Sequence, residues 1–340
     1  GAVYGFSDTD VWAAGPRGTI LHFNGTAWSG YDAPTFCTLS SLWGAAANDL
    51  WATGEYCPIL HWDGQGWKVA TDIYYYSSYG GKTGLWGTST KQVWAVHGPI
   101  ISRWDGQKWT RSEAFSKNLQ ALWGSGSDNI WAVGADGLIL KSTDGVKWAP
   151  FPSNTTKTLN AIWGDHPNRV WAAGADGVLL RYDGSQWRPL DSGTQAPLYG
   201  MFGIGAVNRE EIWACPSYNG LVRPPCVRSV DGQGEKWTPV ENQPPKTIFS
   251  ALWGSGPGSL WLVGSDGSSI GTVGSTLTRY DGKIFQEFRR GEEHDLRSLW
   301  GSSPDDVWVT GVDSGPMVLR YQPDGPPRGY QYNAPTGRLR

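Results

Sequence analysis

The sequence predicts an all-β fold: a single β-propeller of four-stranded antiparallel blades, most simply eight of them, with seven as the alternative. Three observations predict it. A tryptophan-rich unit recurs eight times along the 340 residues. Its landmarks are spaced as one blade requires. Turn-forming residues separate short apolar segments throughout, and the composition (47 glycines, 22 prolines, 22 tryptophans) fits short strands and many turns rather than helices.

Each unit opens on an aromatic–glycine pair: Tyr4-Gly5, Trp43-Gly44, Trp86-Gly87, Trp123-Gly124, Trp163-Gly164, Phe202-Gly203, Trp253-Gly254 and Trp300-Gly301. A second landmark is tryptophan every time: Trp12, Trp51, Trp94, Trp131, Trp171, Trp213, Trp261 and Trp308. Successive second landmarks lie 37 to 48 residues apart, enough for four strands. The units run over 2–38, 39–81, 82–118, 119–158, 159–197, 198–248, 249–295 and 296–340, within one domain over 1–340.

Four strands, A to D, follow in each unit. Strand A carries the first landmark and strand B the second, with a polar turn between them such as Ser303-Pro304-Asp305-Asp306. Strand C is a short apolar segment such as Leu179-Leu180-Arg181-Tyr182. An Asp-Gly pair follows (Asn24-Gly25 in the first unit), which reads as a two-residue hairpin with positive φ at both positions. Strand D begins with a large aromatic, from Trp28 to Phe285; in the eighth unit Tyr330 or Tyr332 stands in. Continuous apolar character implies sheets covered on both faces, as in stacked blades. The glycines beside the aromatics predict close approach between neighbours.

The Tyr-Asp-Gly-x-x-Trp segment resembles the turn of Asp-box (BNR) and kelch-type propellers. The whole unit resembles the tryptophan-rich β-propeller repeats of secreted or lipid-anchored bacterial proteins, over roughly residues 2–325. That resemblance implies the fold and no particular activity. The Asp-box spacing does not fit Ser142 to Trp148, and no Gly-Gly pair closes strand B as in kelch repeats, so neither family's active site carries over.

A net charge of −3 without a basic patch argues against a nucleic-acid partner, and no apolar run is long enough for a transmembrane segment. No signal peptide is visible in the chain. The four cysteines lack zinc-ligand spacing. They are expected to pair as Cys37–Cys57 and Cys215–Cys226, stapling loops and pointing to an extracytoplasmic compartment: periplasmic, secreted or surface-anchored.

Function is read from where the repeats vary. In a propeller the D–A and B–C connections share one face and the A–B and C–D turns the other. The first set varies here, so it is the expected working face. Its binding candidates are Tyr74, Tyr75, Tyr76 and Tyr79 before unit 3, and Arg289 and Arg290 before unit 8. The expected function is a non-catalytic scaffold that binds a protein partner there. A glycan-binding, lectin-like propeller is one alternative. A lyase or hydrolase is the other, with His97 in a B–C loop, His294, Glu292, Glu293 and Arg17 as the acid–base candidates. No cofactor is expected; calcium is conceivable at A–B turn carboxylates such as Asp128, Asp305 and Asp306, although the oxygen-ligand spacing is sparse. The tryptophans are assigned to packing and the Asp-Gly carboxylates to turn formation. His22 and His61 are aligned with Arg103, Ser142, Arg181, Ser229, Arg279 and Arg320, a mixture that reads as a partly exposed strand face; His166 falls in an A–B turn. Asn24 and Asn154 lie in glycosylation-type sequons.

Overall fold

The computed structural model describes the chain except residues 72–82, 205–210, 217–223, 230, 245–247, 257, 266–274, 290–294, 313–315, 323–327, 334–337 and 340. The protein is an all-β, eight-bladed propeller. Eight antiparallel sheets follow one another along the chain, each with strands A to D in sequence order. Blade 1 is Ala2–Ser7, Asp10–Ala14, Ile20–Phe23 and Trp28–Tyr31, and blade 8 carries a fifth short strand, Arg338–Leu339. The count is therefore eight rather than seven. The blades fall into two compact bodies, residues 1–74 with 244–340 (blades 7, 8, 1 and 2) and residues 75–243 (blades 3 to 6). In the first body, strand A of blade 1 packs against strand A of blade 8, Asp295–Ser303, and all four strands of blade 1 come from consecutive chain.

All eight strand B tryptophans are at most 1% exposed. Within the first body, Trp12 reaches over to Trp62 and Trp67 of blade 2 (ring centroids 5.2 and 5.8 Å), and Trp308 to Phe23 and Trp28 of blade 1 (4.9 and 5.4 Å). Within the second, Trp131 does the same to Tyr182 and Trp187 of blade 5 (4.7 and 5.4 Å). The Asp-Gly segment thus serves the neighbouring blade as well as its own. Trp94 and Trp171 donate their indole N–H to the carbonyls of Gly145 and Gly234 in the next blade's C–D connection. Removing about 200 Å² of each ring from water at about 25 cal/mol/Å² contributes roughly 5 kcal/mol per blade seam.

Strand A seams use a second device. A Cβ built on Gly164 would stand 2.7 Å from the ring of Trp123 in the preceding blade, and on Gly124 it would stand 2.5 Å from Trp86. Gly5, Gly203 and Gly301 likewise lie against Trp300, Trp163 and Trp253, and Gly44 against Phe6, so the landmark glycine is the flat bed for the neighbouring blade's ring. A leucine four residues before the landmark completes the seam. Leu39, Leu119, Leu159, Leu198 and Leu296 are all buried. Each sits on a cross-strand pair of the preceding blade: Leu39 on Ala14 and Ile20, Leu159 on Val133 and Ile139, Leu296 on Val263 and Leu277.

Two sequence expectations are corrected. The residue paired with each strand B tryptophan is always basic: His22, His61, Arg103, Lys141, Arg181, Arg228, Arg279 and Arg320. Ser142 and Ser229 are not at that position, because blades 4 and 6 hold one more residue between strand C and the Asp-Gly pair. The position is partly exposed as expected, with only Arg181 buried, and its side chains cap the indole. His22 and His61 stack on Trp12 and Trp51 at 4.1 and 4.0 Å while bonding to Asp10 and Asp49, and Lys141 and Arg320 lie 4.6 and 4.5 Å over Trp131 and Trp308. These are cation–π or stacked contacts on desolvated rings, in the range of about 0.5–2 kcal/mol each where the group is charged.

The C–D turn is the second correction. Only the glycine takes positive φ, and the loop spans four residues, since Trp62 pairs with Trp67 and Tyr182 with Trp187. The preceding carboxylate caps it: Asp63 accepts the amides of Gln65 and Gly66, and Asp105 those of Gln107 and Lys108. The amide of Gln186, with the hydroxyl and amide of Ser185, holds the Asp183 carboxyl at about 2. An Asx-type turn, not a type I′ hairpin, is what the Asp-Gly pair encodes. In blade 8, Tyr330 pairs with Val318 in the interior of strand D, so it does not occupy the opening aromatic position.

The glycine bed gives a direct test. Gly164→Ala drives a Cβ into both Trp123 and the carbonyl of Arg169, and is expected to cost roughly 2–3 kcal/mol in urea unfolding. Gly66→Ala, which meets nothing within 4 Å, is expected to stay within about 0.5 kcal/mol of the parent.

Candidate functional site

Within the first body, the connection from blade 1 to blade 2 (residues 32–40) is gripped on both sides. Toward blade 1, Gly18 N–H donates to the Cys37 carbonyl at 2.7 Å and Leu39 N–H donates to the Gly15 carbonyl at 2.9 Å. Toward blade 2, Cys37 forms a disulfide with Cys57 of the B–C connection. Other blades show what this bridge replaces. Lys117 and Lys157 stand two residues before their buried leucines, as Cys37 does, and pair with Asp136 and Asp176 in the B–C connections of blades 4 and 5. Those aspartates sit at left-handed φ of 53° and 55°, inside tight turns that Gly137 and Gly177 close. Arg17 holds the same left-handed place in blade 1 (φ 56°) and Tyr56 in blade 2 (φ 58°). An exposed ion pair is worth at most about 1 kcal/mol, so the covalent version is the firmer hold.

What this frame presents is aromatic. Phe36, next to Cys37, is 92% exposed, and Tyr56, next to Cys57, is 49% exposed. Arg17 extends into solvent from the B–C turn of blade 1. Two exposed rings and a guanidinium thus stand on backbone held by hydrogen bonds and a disulfide, so little ordering would be left to do if they were covered. Sequence reasoning found Arg17 and the bridge but missed both rings. The signal was there, an aromatic directly before each cysteine of one staple.

The second staple also forms. Cys215 is the penultimate residue of strand B in blade 6, Glu211–Pro216, and is bonded to Cys226 just before strand C. Among the enzyme candidates, His97 is not in a loop. It is the last residue of strand B of blade 3, Gln92–His97, 3% exposed, and its Nε2 has no partner among the described residues. Burial pushes its pKa down to about 4, so it is neutral at pH 7 and sealed from substrate. Tyr74, Tyr75, Tyr76, Tyr79, Arg290, Glu292, Glu293 and His294 lie outside the described residues; Arg289 ends strand D of blade 7, paired through its backbone with Thr276. Of the calcium candidates, Asp306 accepts from Arg320 and Ser302, and Asp305 pairs with Arg279. Among the described residues, no three histidine, cysteine or acidic side chains gather to hold a metal.

No protein-family model and no curated protein matches the chain. Solved structures do match. YCF48 bound to D1 peptide aligns with a TM-score of 0.59 at 19% identity, over 85% of this chain and 95% of that one. The computationally designed Ika8 protein aligns with a TM-score of 0.71 at 16% identity, over 94% and 95%. The GH74 xyloglucanase from Xanthomonas campestris aligns with a TM-score of 0.62 at 12% identity, over 88% of this chain and 53% of that one. Such identities establish a shared fold; a peptide binder and a glycosidase among them show that the fold leaves function open.

The buried imidazole sets a pH dependence. The unfolded chain binds the His97 proton near pH 6.5 and the native state only near 4, so stability is full above 6.5 and falls as pH drops toward 4. About 2.5 units correspond to roughly 3 kcal/mol. His97→Phe is expected to abolish that part of the acid loss, read as the change in urea midpoint between pH 7 and pH 4.

Proposed function

We propose that this protein is a non-catalytic recognition scaffold that binds a protein partner through the face carrying its D–A and B–C connections. The observation that carries the reading is the exposed Phe36–Tyr56 pair, fixed on either side of the Cys37–Cys57 disulfide. A ring left 92% in water forgoes the roughly 1.5–3 kcal/mol of burying it, a cost that binding would recover. The tryptophans that suggest stacking on sugars are instead consumed by the blade seams, which weighs against the lectin reading. Two disulfides support an extracytoplasmic setting, periplasmic, secreted or surface-anchored, in keeping with the resemblance to tryptophan-rich bacterial propellers. YCF48, recorded in complex with a peptide, gives the fold a precedent for this use. The tyrosines at 74–79 and Arg289 and Arg290 extend the proposed face by sequence alone.

The test is affinity capture from the secreted and envelope fractions of the source, comparing parent protein with a Phe36→Ser/Tyr56→Ser variant of equal melting temperature. A protein held by the parent and weakened about 30-fold or more in the variant is the expected result, at roughly 1–2 kcal/mol per anchor. Selective glycan-array binding that survives both substitutions, with no protein retained, would replace this reading with the lectin one.

A further inference from the structure

The turn that carries Tyr56 is built unlike its counterparts. In blades 1, 4 and 5 the B–C connection closes itself. A glycine at positive φ (Gly18, Gly137, Gly177) follows the left-handed residue, and the next amide returns to the carbonyl three residues back: Thr19 to Pro16, Leu138 to Ala135, Val178 to Ala175. Blade 2 has Cys57 where the glycine stands, and Pro58, which lacks an amide N–H, where the closing donor stands. Its turn bond runs instead from the Cys57 N–H to the Gly54 carbonyl at 3.1 Å. Tyr56 still takes a φ of 58°, a conformation that the short polar side chains of Asp136 and Asp176 ease and a tyrosine does not. The disulfide is therefore the main hold on this turn, whereas the Lys117–Asp136 and Lys157–Asp176 pairs are added to turns already closed. The two staples also differ in access. Cys215 and Cys226 are 4% and 0% exposed, while Cys37 is half-buried beside the exposed Phe36. Partners for both freed sulfurs are in place: the Thr35 hydroxyl donates to Cys37 Sγ at 3.1 Å, and the Thr38 carbonyl oxygen lies 3.3 Å from Cys57 Sγ.

From this we infer that Cys37–Cys57 is a redox latch on the Phe36–Tyr56 surface, opened by a dithiol reductant while the propeller stays folded. The reductant's thiolate attacks Cys37 Sγ, the more exposed sulfur, forming a mixed disulfide and expelling Cys57 as a thiolate. That thiolate takes a proton and donates it to the Thr38 carbonyl. The reductant's second thiolate then closes its own disulfide and releases the Cys37 thiolate, which accepts from the Thr35 hydroxyl before it too is protonated. Two electrons and two protons pass from the dithiol to the protein. Once the latch is open, the Phe36 connection stays on blade 1 through the Gly18 and Leu39 amides, and Tyr56 leaves its left-handed turn. The two rings then no longer share one frame. The inference deepens the reading above and rests on it only for what is released, since the latch itself is a property of this chain.

The test treats the oxidised protein with dithiothreitol under native conditions and traps the thiols with iodoacetamide for peptide mapping. Cys37 and Cys57 are expected to be labelled about tenfold or more faster than Cys215 and Cys226. In the opened protein the Cys57 amide is expected to exchange about tenfold or more faster, with the amides of Trp12 and Trp51 unchanged. Equal labelling of the two staples, no labelling short of global unfolding, or an unchanged Cys57 amide would overturn the inference. Cys37→Ser/Cys57→Ser is expected to resemble the opened form and to ignore the reductant; should it fail to fold, the reduced parent decides alone. A protein captured by the oxidised form is expected to bind the opened form about tenfold more weakly or worse, and undiminished binding would overturn the control. Should neither form capture a protein while the latch opens as described, the recognition reading fails and the latch stands.

Discussion

The buried tryptophan of strand B is the constraint on which the rest of this molecule depends. Four short strands cannot bury their own faces, so a blade is stable only against a neighbour. The indole supplies that contact in three directions. Its body fills the seam against the next blade's aromatics, its N–H finds that blade's turn in at least Trp94 and Trp171, and its face is capped by a basic or imidazole side chain from strand C. The Asx turn then has a second reason to be invariant, since it presents the carbonyl as well as reversing the chain. Glycine in strand A and leucine at its start close the inner part of the same seam.

Much of this was legible in the sequence because each seam spends the same residues in the same order. Trp-Gly, then Trp, then Asp-Gly with an aromatic three residues on, gave the blade count, the strand order and both disulfides. What sequence did not give were matters of register. Ser142 and Ser229 stand two residues before their Asp-Gly pairs, as His22 stands two before Asn24-Gly25, yet one additional residue before the turn puts them on the other face of the strand. With the pairing known, Lys141 and Arg228 complete an unbroken series of caps. The type I′ assignment failed for a related reason: Asp-Gly can open a two-residue or a four-residue connection, and only the aspartate's bonds to the following amides distinguish them.

The candidate site was harder to read because exposure is not written in residue type. Phe36 and Tyr56 look like core in a sequence whose tryptophans are assigned to packing. They stand out only once the flanking cysteines are seen to tie two loops together. His97 illustrates the converse: a histidine in a variable region suggests catalysis, yet it stands three residues after the strand B tryptophan, where six other blades carry glycine and blade 6 carries Pro216, and is shut into the sheet end. The same scaffold thus separates its work. Tryptophans, whose chemistry invites a ligand, hold the blades, while one phenylalanine and one tyrosine on a stapled connection face outward.

That separation requires the stapled connection to be rigid before any partner arrives, and amide hydrogen exchange measures this directly. Leu39 and Gly18 donate their amides across the connection, so their exchange is predicted to be slowed to within about tenfold of the strand B amides of Trp12 and Trp51. Exchange of these two amides at the rate of an open loop would contradict the account, because Phe36 and Tyr56 would then be ornaments of a flexible segment rather than a preformed site.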